Sequence, residues 1–169
     1  MKKLIALILV LCCIVPVALA DTYGLGVVTT VSSAQNATAE KNGQYEILSN
    51  VCSVVLDDEG KIVDVWFDVA QTKVAFNAAG EVKTEAGTKV PSKFEKKEAY
   101  GMGARAKAGE WYLQARAFEL YCIGKTVGEV LSTPLTASGA PDVADLKTTC
   151  TIGVYEMLEA LAAAAANAR

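Results

Sequence analysis

The sequence predicts an α+β domain: an antiparallel meander sheet from the N-terminal half, with a long helix and a C-terminal helix packed on it. Three observations lead there. Strand-forming residues crowd the stretch from Tyr23 to Val82, helical periodicity appears only after Ala104, and two turn sequences, Asp57-Asp58-Glu59-Gly60 and Asn77-Ala78-Ala79-Gly80, punctuate the first half. Consecutive strands joined by short turns pair antiparallel, and helices that follow them cover one face or end of the sheet.

The chain opens with Lys2 and Lys3, an apolar run over Leu4–Val15, and Ala18-Leu19-Ala20. That is the three-part pattern of a secretory signal peptide over residues 1–20, cleaved before Asp21. The run is shorter than the ~20 apolar residues a membrane-spanning helix needs, and Pro16 interrupts it. Leu11 and Cys12 precede the first cysteines, where a lipidation site would carry a small residue, so a released product is expected over a lipid-anchored one. The expected location is secreted or extracytoplasmic, with residues 21–169 forming a single domain and no transmembrane segment left after cleavage.

Gly26–Ser33, Gln44–Leu56 and Lys61–Phe76 are rich in Val, Thr, Ile, Tyr, Trp and Phe, the residue types that suit a pleated surface. Gly60 supplies the positive φ that closes the turn between the second and third of these stretches. Around Ile62–Phe67 both alternating faces are mostly apolar, which predicts a central strand covered on both sides. Lys83–Lys97, dominated by Thr, Lys, Glu and Pro91, reads as a surface connection without periodicity.

Trp111, Ala115, Phe118 and Cys122 form one stripe of a helix expected over roughly Ala104–Tyr121. Thr126-Val127-Gly128-Glu129 has capping-box spacing and predicts a short helix ending near Ser132. The last helix is expected to begin near Thr151, with Val154, Leu158, Leu161 and Ala165 on one side and alanines that favour helix throughout.

Composition excludes several function classes. The chain has sixteen basic and nineteen acidic residues; losing Lys2 and Lys3 leaves fourteen basic and takes the net charge from −3 to −5. An acidic chain argues against nucleic-acid binding. The absence of any His removes Ser-His-Asp triads, Cys-His pairs and His-containing zinc sets, so a hydrolase is the least favoured reading. Cys52, Cys122 and Cys150 remain after cleavage. They allow one disulfide with a spare thiol or three buried apolar side chains, and the sequence does not choose between these.

Gly124-Lys125-Thr126 lacks the first glycine of a phosphate loop, because Glu119 stands there within a helix. Gly101-Met102-Gly103 resembles part of a dinucleotide fingerprint but follows no strand, and reads as a flexible lead into a helix. Asp64 and Asp68 lie on a strand with no differently tuned partner for acid–base work. The remaining motif is Asp145-Leu146-Lys147-Thr148-Thr149-Cys150-Thr151, just before the last helix. Hydroxyls and backbone N–H groups gathered at a helix N-terminus suit a phosphate.

This segment resembles the D-x-x-S-G-A-T motif of the FMN-binding domain family. That family includes flavin-carrying subunits of bacterial sodium-pumping quinone reductases and many secreted bacterial proteins. Asp145 matches its Asp, Thr148 its Ser or Thr, and Thr151 the threonine that flavinylated members join to FMN through a phosphoester. Thr149 and Cys150 replace the family's Gly and Ala, which removes the close backbone access glycine gives and counts against covalent attachment at Thr151. The resemblance runs loosely from Tyr45 to Ala166. It implies FMN as cofactor at Asp145, Thr148, Thr149 and Thr151, with Trp111, Tyr112 or Met102 against the ring. It also implies an extracytoplasmic electron carrier whose redox partners lie at the outer face of the membrane. The competing expectation is a secreted small-ligand or protein interaction domain without cofactor.

Overall fold

The computed structural model describes residues 21–169. The signal-peptide reading of Met1–Ala20 lies outside the described residues. Three strands, β1 (Thr22–Gln35), β2 (Gly43–Leu56) and β3 (Ile62–Phe76), pair antiparallel in the order β1-β2-β3. Four helices follow: α1 (Lys93–Lys96), α2 (Trp111–Cys122), α3 (Val127–Leu131) and α4 (Tyr155–Ala166). This is the α+β meander that the sequence predicts. Among the described residues no helix is long and apolar enough to cross a membrane.

The two turn sequences close by the same chemistry. Asp57 Oδ1 accepts from the N–H groups of Glu59 and Lys61 at 3.0 and 2.8 Å, and Asn77 Oδ1 accepts from those of Ala79 and Glu81 at 3.0 and 2.9 Å. Each Asx side chain thus stands in for a backbone acceptor. Gly60 and Gly80 follow at φ +74° and +81°, where a Cβ would be strained.

β3 is an edge strand, not the central strand its two apolar faces predict. A register shift opposes Leu56 to Ile62 and Val55 to Asp64, leaving Val63 as a bulged residue. The bulge breaks strict alternation, so Ile62 and Val65 are both buried while Val63 is exposed. Trp66, on the outer face, is partly covered by Phe94 of α1, whose ring lies 5.5 Å away.

The free edge of β3 is satisfied from several sources. Phe67 N–H donates to Glu119 Oε1 at 2.9 Å, Ile62 N–H to the Lys125 carbonyl at 2.8 Å, Val69 N–H to Asp68 Oδ1 at 2.7 Å and Ala75 N–H to Thr84 Oγ1 at 2.9 Å. Asp68 also accepts from Phe94 N–H at 3.1 Å, so this buried carboxylate fixes α1 against the sheet. These partners blunt the edge against pairing with another strand at those four residues.

The two long helices, α2 and α4, pack on the other face. In α2 the predicted stripe of Trp111, Ala115, Phe118 and Cys122 is buried, and the Phe118 ring stands 5.7 Å from Phe67. Val154, just before α4, and Leu158 and Leu161 within it are buried as expected; Ala160 and Ala164, rather than Ala165, complete the contact against Gly24 and Gly26. Cys52, Cys122 and Cys150 are buried and unbridged. Burial pushes their thiols up, Cys122 to about 12 and Cys150 to about 11, so they remain neutral and unreactive at neutral pH.

Two helix starts differ from the periodicity. α2 begins at Trp111 rather than Ala104, because Gly109 at φ +87° and the hydrogen-bonded turns between Met102 and Gly109 occupy the preceding residues. α4 begins at Tyr155 rather than near Thr151. The N–H groups of Thr151 and Val154 donate instead to Gln114 Oε1 and to the Gly139 carbonyl, both at 2.9 Å. α1 arises inside the connection expected to be irregular, through a full capping box between Ser92 and Glu95. Thr126 and Glu129 form the capping box that their spacing predicts at the start of α3.

Candidate functional site

Gln71 and Lys73 continue the face of β3 that carries Phe67 and Val69, but no long helix covers them. The connection after β3 covers them instead, through α1, a 3-10 turn at Lys97–Tyr100 and the loop that leads to α2. A cleft of about 740 Å³ lies between strand and connection, lined by Gln71, Lys73, Lys96, Tyr100, Met102 and Arg105 among others. Met102 and Ala106 also wall a second hollow, of about 350 Å³, together with Lys93, Trp111, Thr151 and Gly153. The two hollows together span the size range of small-molecule sites.

The charge of this region is opposite to that of the chain. Lys73, Lys93, Lys96 and Arg105 line the two hollows, and no carboxylate does. Lys73 is paired with Glu46 on the neighbouring strand at 3.2 Å. Among the described residues, Lys93, Lys96 and Arg105 have no carboxylate oxygen within 4 Å. The Lys93 ammonium stands over two rings, 5.3 Å from the centroid of Tyr100 and 5.5 Å from that of Trp111. Burial holds its pKa below the usual lysine value, against the opposing fields of Glu46, Glu156 and Asp68.

Met102 is held by a carboxylate clamp. Glu110 accepts from the N–H groups of Met102 and Gly103 at 2.9 and 2.7 Å, and a Cβ on Gly103 would come within 2.8 Å of that carboxylate. The Gly101-Met102-Gly103 segment is therefore a fixed wall of the cleft rather than a flexible lead.

Gln114 organises the other wall. Fully buried on α2, it donates through Nε2 to the Gly109 carbonyl at 2.7 Å and accepts through Oε1 from both Thr151 N–H at 2.9 Å and Thr151 Oγ1–H at 3.0 Å. The amide's single acceptor atom thus fixes the residue that the motif singles out.

The four motif residues do not converge. Thr151 alone lies in the hollow with Lys93, and it also borders a separate one of about 410 Å³ beside Ser138 and Lys147. Thr149 Oγ1 donates back to the Asp145 carbonyl at 3.3 Å inside a turn. Asp145 and Thr148 are exposed, with no side-chain hydrogen bond among the described residues. Of the aromatic and thioether side chains expected near a ring, Trp111 and Met102 reach the Thr151 hollow. Tyr112 does not line it, and its hydroxyl donates to Glu98 at 2.9 Å.

Sequence reasoning missed Gln114, Glu110, Lys93, Lys96, Lys73 and Arg105. Only Lys93 had a readable signal, since Ser92-Lys93-Phe94-Glu95 carries the same capping spacing as Thr126–Glu129. Gln114 reaches Thr151 across 37 residues, and Glu110 reaches back seven and eight residues to Gly103 and Met102, a spacing that matches no capping motif. Among the described residues, no group of three or more Cys, Asp or Glu side chains is placed to hold a metal.

Compared with known proteins, the chain is similar to a chlorophenol reductase of Desulfitobacterium hafniense. The two are 30% identical over 130 residues, which take in 69% of this chain. The chain spans about 38% of the length of that relative. No family model and no solved structure matches it.

Proposed function

We propose that this chain is an exported FMN-binding protein that serves electron transfer outside the cytoplasmic membrane. The observation that carries the reading is the cationic cleft: in a chain with more acidic than basic residues, four cations and no carboxylate line the hollows that lead to Thr151. A flavin mononucleotide combines a phosphate with a flat apolar ring. Cations suit the first, and Trp111, Tyr100 and Met102 suit the second.

The similarity to a protein named as a reductase agrees with redox chemistry, and the threonine motif agrees with flavin. When bound, flavin supplies one- and two-electron transfer, while the protein supplies binding and orientation. In this reading Gln114 fixes Thr151 at the wall, Glu110 holds the Met102 loop against the opening, and the lysines draw the phosphate. Thr149 and Cys150 in place of smaller residues favour non-covalent binding over attachment at Thr151.

The test is spectroscopic. Protein purified after co-expression with a flavin transferase, and again after incubation with FMN, is expected to be yellow with flavin absorbance bands. Its intact mass under denaturing conditions is expected to equal that of the polypeptide. Colourless protein that takes up no FMN would sink the proposal and leave an interaction domain without cofactor. A mass raised by one FMN, and restored in Thr151→Ala, would replace non-covalent binding with covalent attachment.

A further inference from the structure

The donors that the motif offers an anion are already committed or lie elsewhere. Thr151 donates both its N–H and its hydroxyl to Gln114, Thr149 donates to Asp145, and Thr148 is exposed outside the Thr151 hollow. The N-terminus of α4 lies four residues beyond Thr151. A phosphate accepts hydrogen bonds and carries charge, so it needs a donor that is still available. Of the two hollows that Thr151 borders, the one beside Ser138 has Lys147, already paired with Asp142 at 2.9 Å, and in the other Lys93 is the one charged donor.

From this arrangement we propose that Lys93 is the anion-recognising residue of the Thr151 hollow, and that it makes the site select a phosphate monoester, FMN, over the uncharged riboflavin. The identity of the ligand rests on the flavin reading; the anion site does not.

The surroundings of Lys93 fit this task. Trp111 and Tyr100 hold the ammonium over their ring faces, which stabilises a cation without consuming its hydrogen-bond donors as a carboxylate would. The carboxylates whose fields reach it, Glu46, Glu156 and Asp68, form no ion pair with it, and the field of Lys96 opposes theirs. Each has its own place: Glu46 pairs with Lys73, Asp68 accepts from Val69 and Phe94, and Glu156 sits in the first turn of α4. A partly desolvated ammonium with no ion-pair partner gains more from an arriving phosphate than a fully hydrated surface lysine does.

Two measurements on the mature protein test this. In the first, the side-chain Hε–Cε resonances of labelled lysine are followed while inorganic phosphate is added, with chloride at matched ionic strength as the control. The Lys93 signal, assigned by its loss in Lys93→Met, is expected to move saturably with phosphate only. Movement no greater than in chloride overturns the proposal.

In the second, FMN and riboflavin affinities are compared in wild type, Lys93→Met and Lys93→Arg. Loss of a charge-assisted hydrogen bond predicts that Lys93→Met weakens FMN roughly ten- to a hundredfold and leaves riboflavin nearly unchanged, while Lys93→Arg keeps the preference. Equal loss of both flavins overturns the proposal, since Lys93 would then only support the aromatic wall. Unchanged FMN affinity in Lys93→Met overturns it as well. If the wild type takes up neither flavin while phosphate still moves Lys93, the flavin reading fails and the anion site stands.

Discussion

The two halves of the sheet are covered in opposite ways. Over β1 and β2, α4 approaches so closely that a Cβ on Gly26 would lie 2.2 Å from the Ala160 carbonyl oxygen and 2.4 Å from the Ala164 nitrogen. Small residues on both sides let backbone meet backbone, and the hollow on this side, of about 330 Å³, lies past the contact, where Gly24 faces Asn167 and Arg169 at the end of the chain. Over β3 the cover is aromatic and polar: Phe118 against Phe67, Phe94 against Trp66, Glu119 on the strand edge. Large rings and buried hydrogen-bonding groups do not close over the end of β3, and the cationic cleft lies there. Close packing of small residues gives the domain its frame, whereas bulky and polar packing leaves room for a ligand.

Four changes test that contrast, in falling order of expected effect. Phe118→Ala removes one of the two fully buried phenylalanines of the aromatic half. It is expected to lower unfolding free energy by about 3–5 kcal/mol, as read by urea denaturation. Gly26→Ala adds one methyl group to the small-residue half and forces α4 outward, for about 1–3 kcal/mol. Flavin or phosphate binding per folded molecule should survive that change. If binding falls with stability, the two halves are not separable.

Gln114→Leu comes next. It leaves the Thr151 N–H and the Gly109 carbonyl without their partner and is expected to cost about 1–3 kcal/mol. Amide exchange should quicken at Thr151 and stay unchanged in α4.

The smallest effect concerns Glu119, whose carboxyl burial holds above its ordinary value, while the hydrogen bonds from Phe67 and Arg116 oppose that rise. A raised folded-state value means that the folded protein holds this proton more tightly than the unfolded chain. The resulting stability is present below the unfolded value, near pH 4.5, and is lost as pH rises through the folded one. Glu119→Gln keeps an acceptor for Phe67 and removes the titration. Urea midpoints measured from pH 4 to 8 should therefore fall with pH more steeply in the wild type than in the variant; parallel curves would show that Glu119 does not contribute.

Much of the frame can be read from local sequence. The Asx-Gly turns, the valine- and threonine-rich strands and the stripe from Trp111 to Cys122 each act within a few residues, through backbone geometry or a fixed period. Local pattern and structure part where distant partners intervene. The two-faced pattern of β3 reads as a central strand because the sequence does not reveal the Val63 bulge or the cover that α1 gives Trp66. The first backbone bond of α4 runs from Leu158 N–H to the Val154 carbonyl, while Thr151, which the spacing places at the helix start, is held outside it by Gln114, 37 residues away.

The site follows the same division. Thr151 stands out in the sequence through its motif, whereas Lys93 and Gln114 look like an ordinary surface lysine and an ordinary helix glutamine. By itself, the sequence determined the meander, the helical second half, the net negative charge and the exclusion of histidine chemistry, because these depend on residue type and short spacing. Only the tertiary structure decided which cations share a cleft, which threonine reaches it and which donors are already spent. Those properties belong to side chains brought together across long stretches of chain, where neither period nor composition carries a signal.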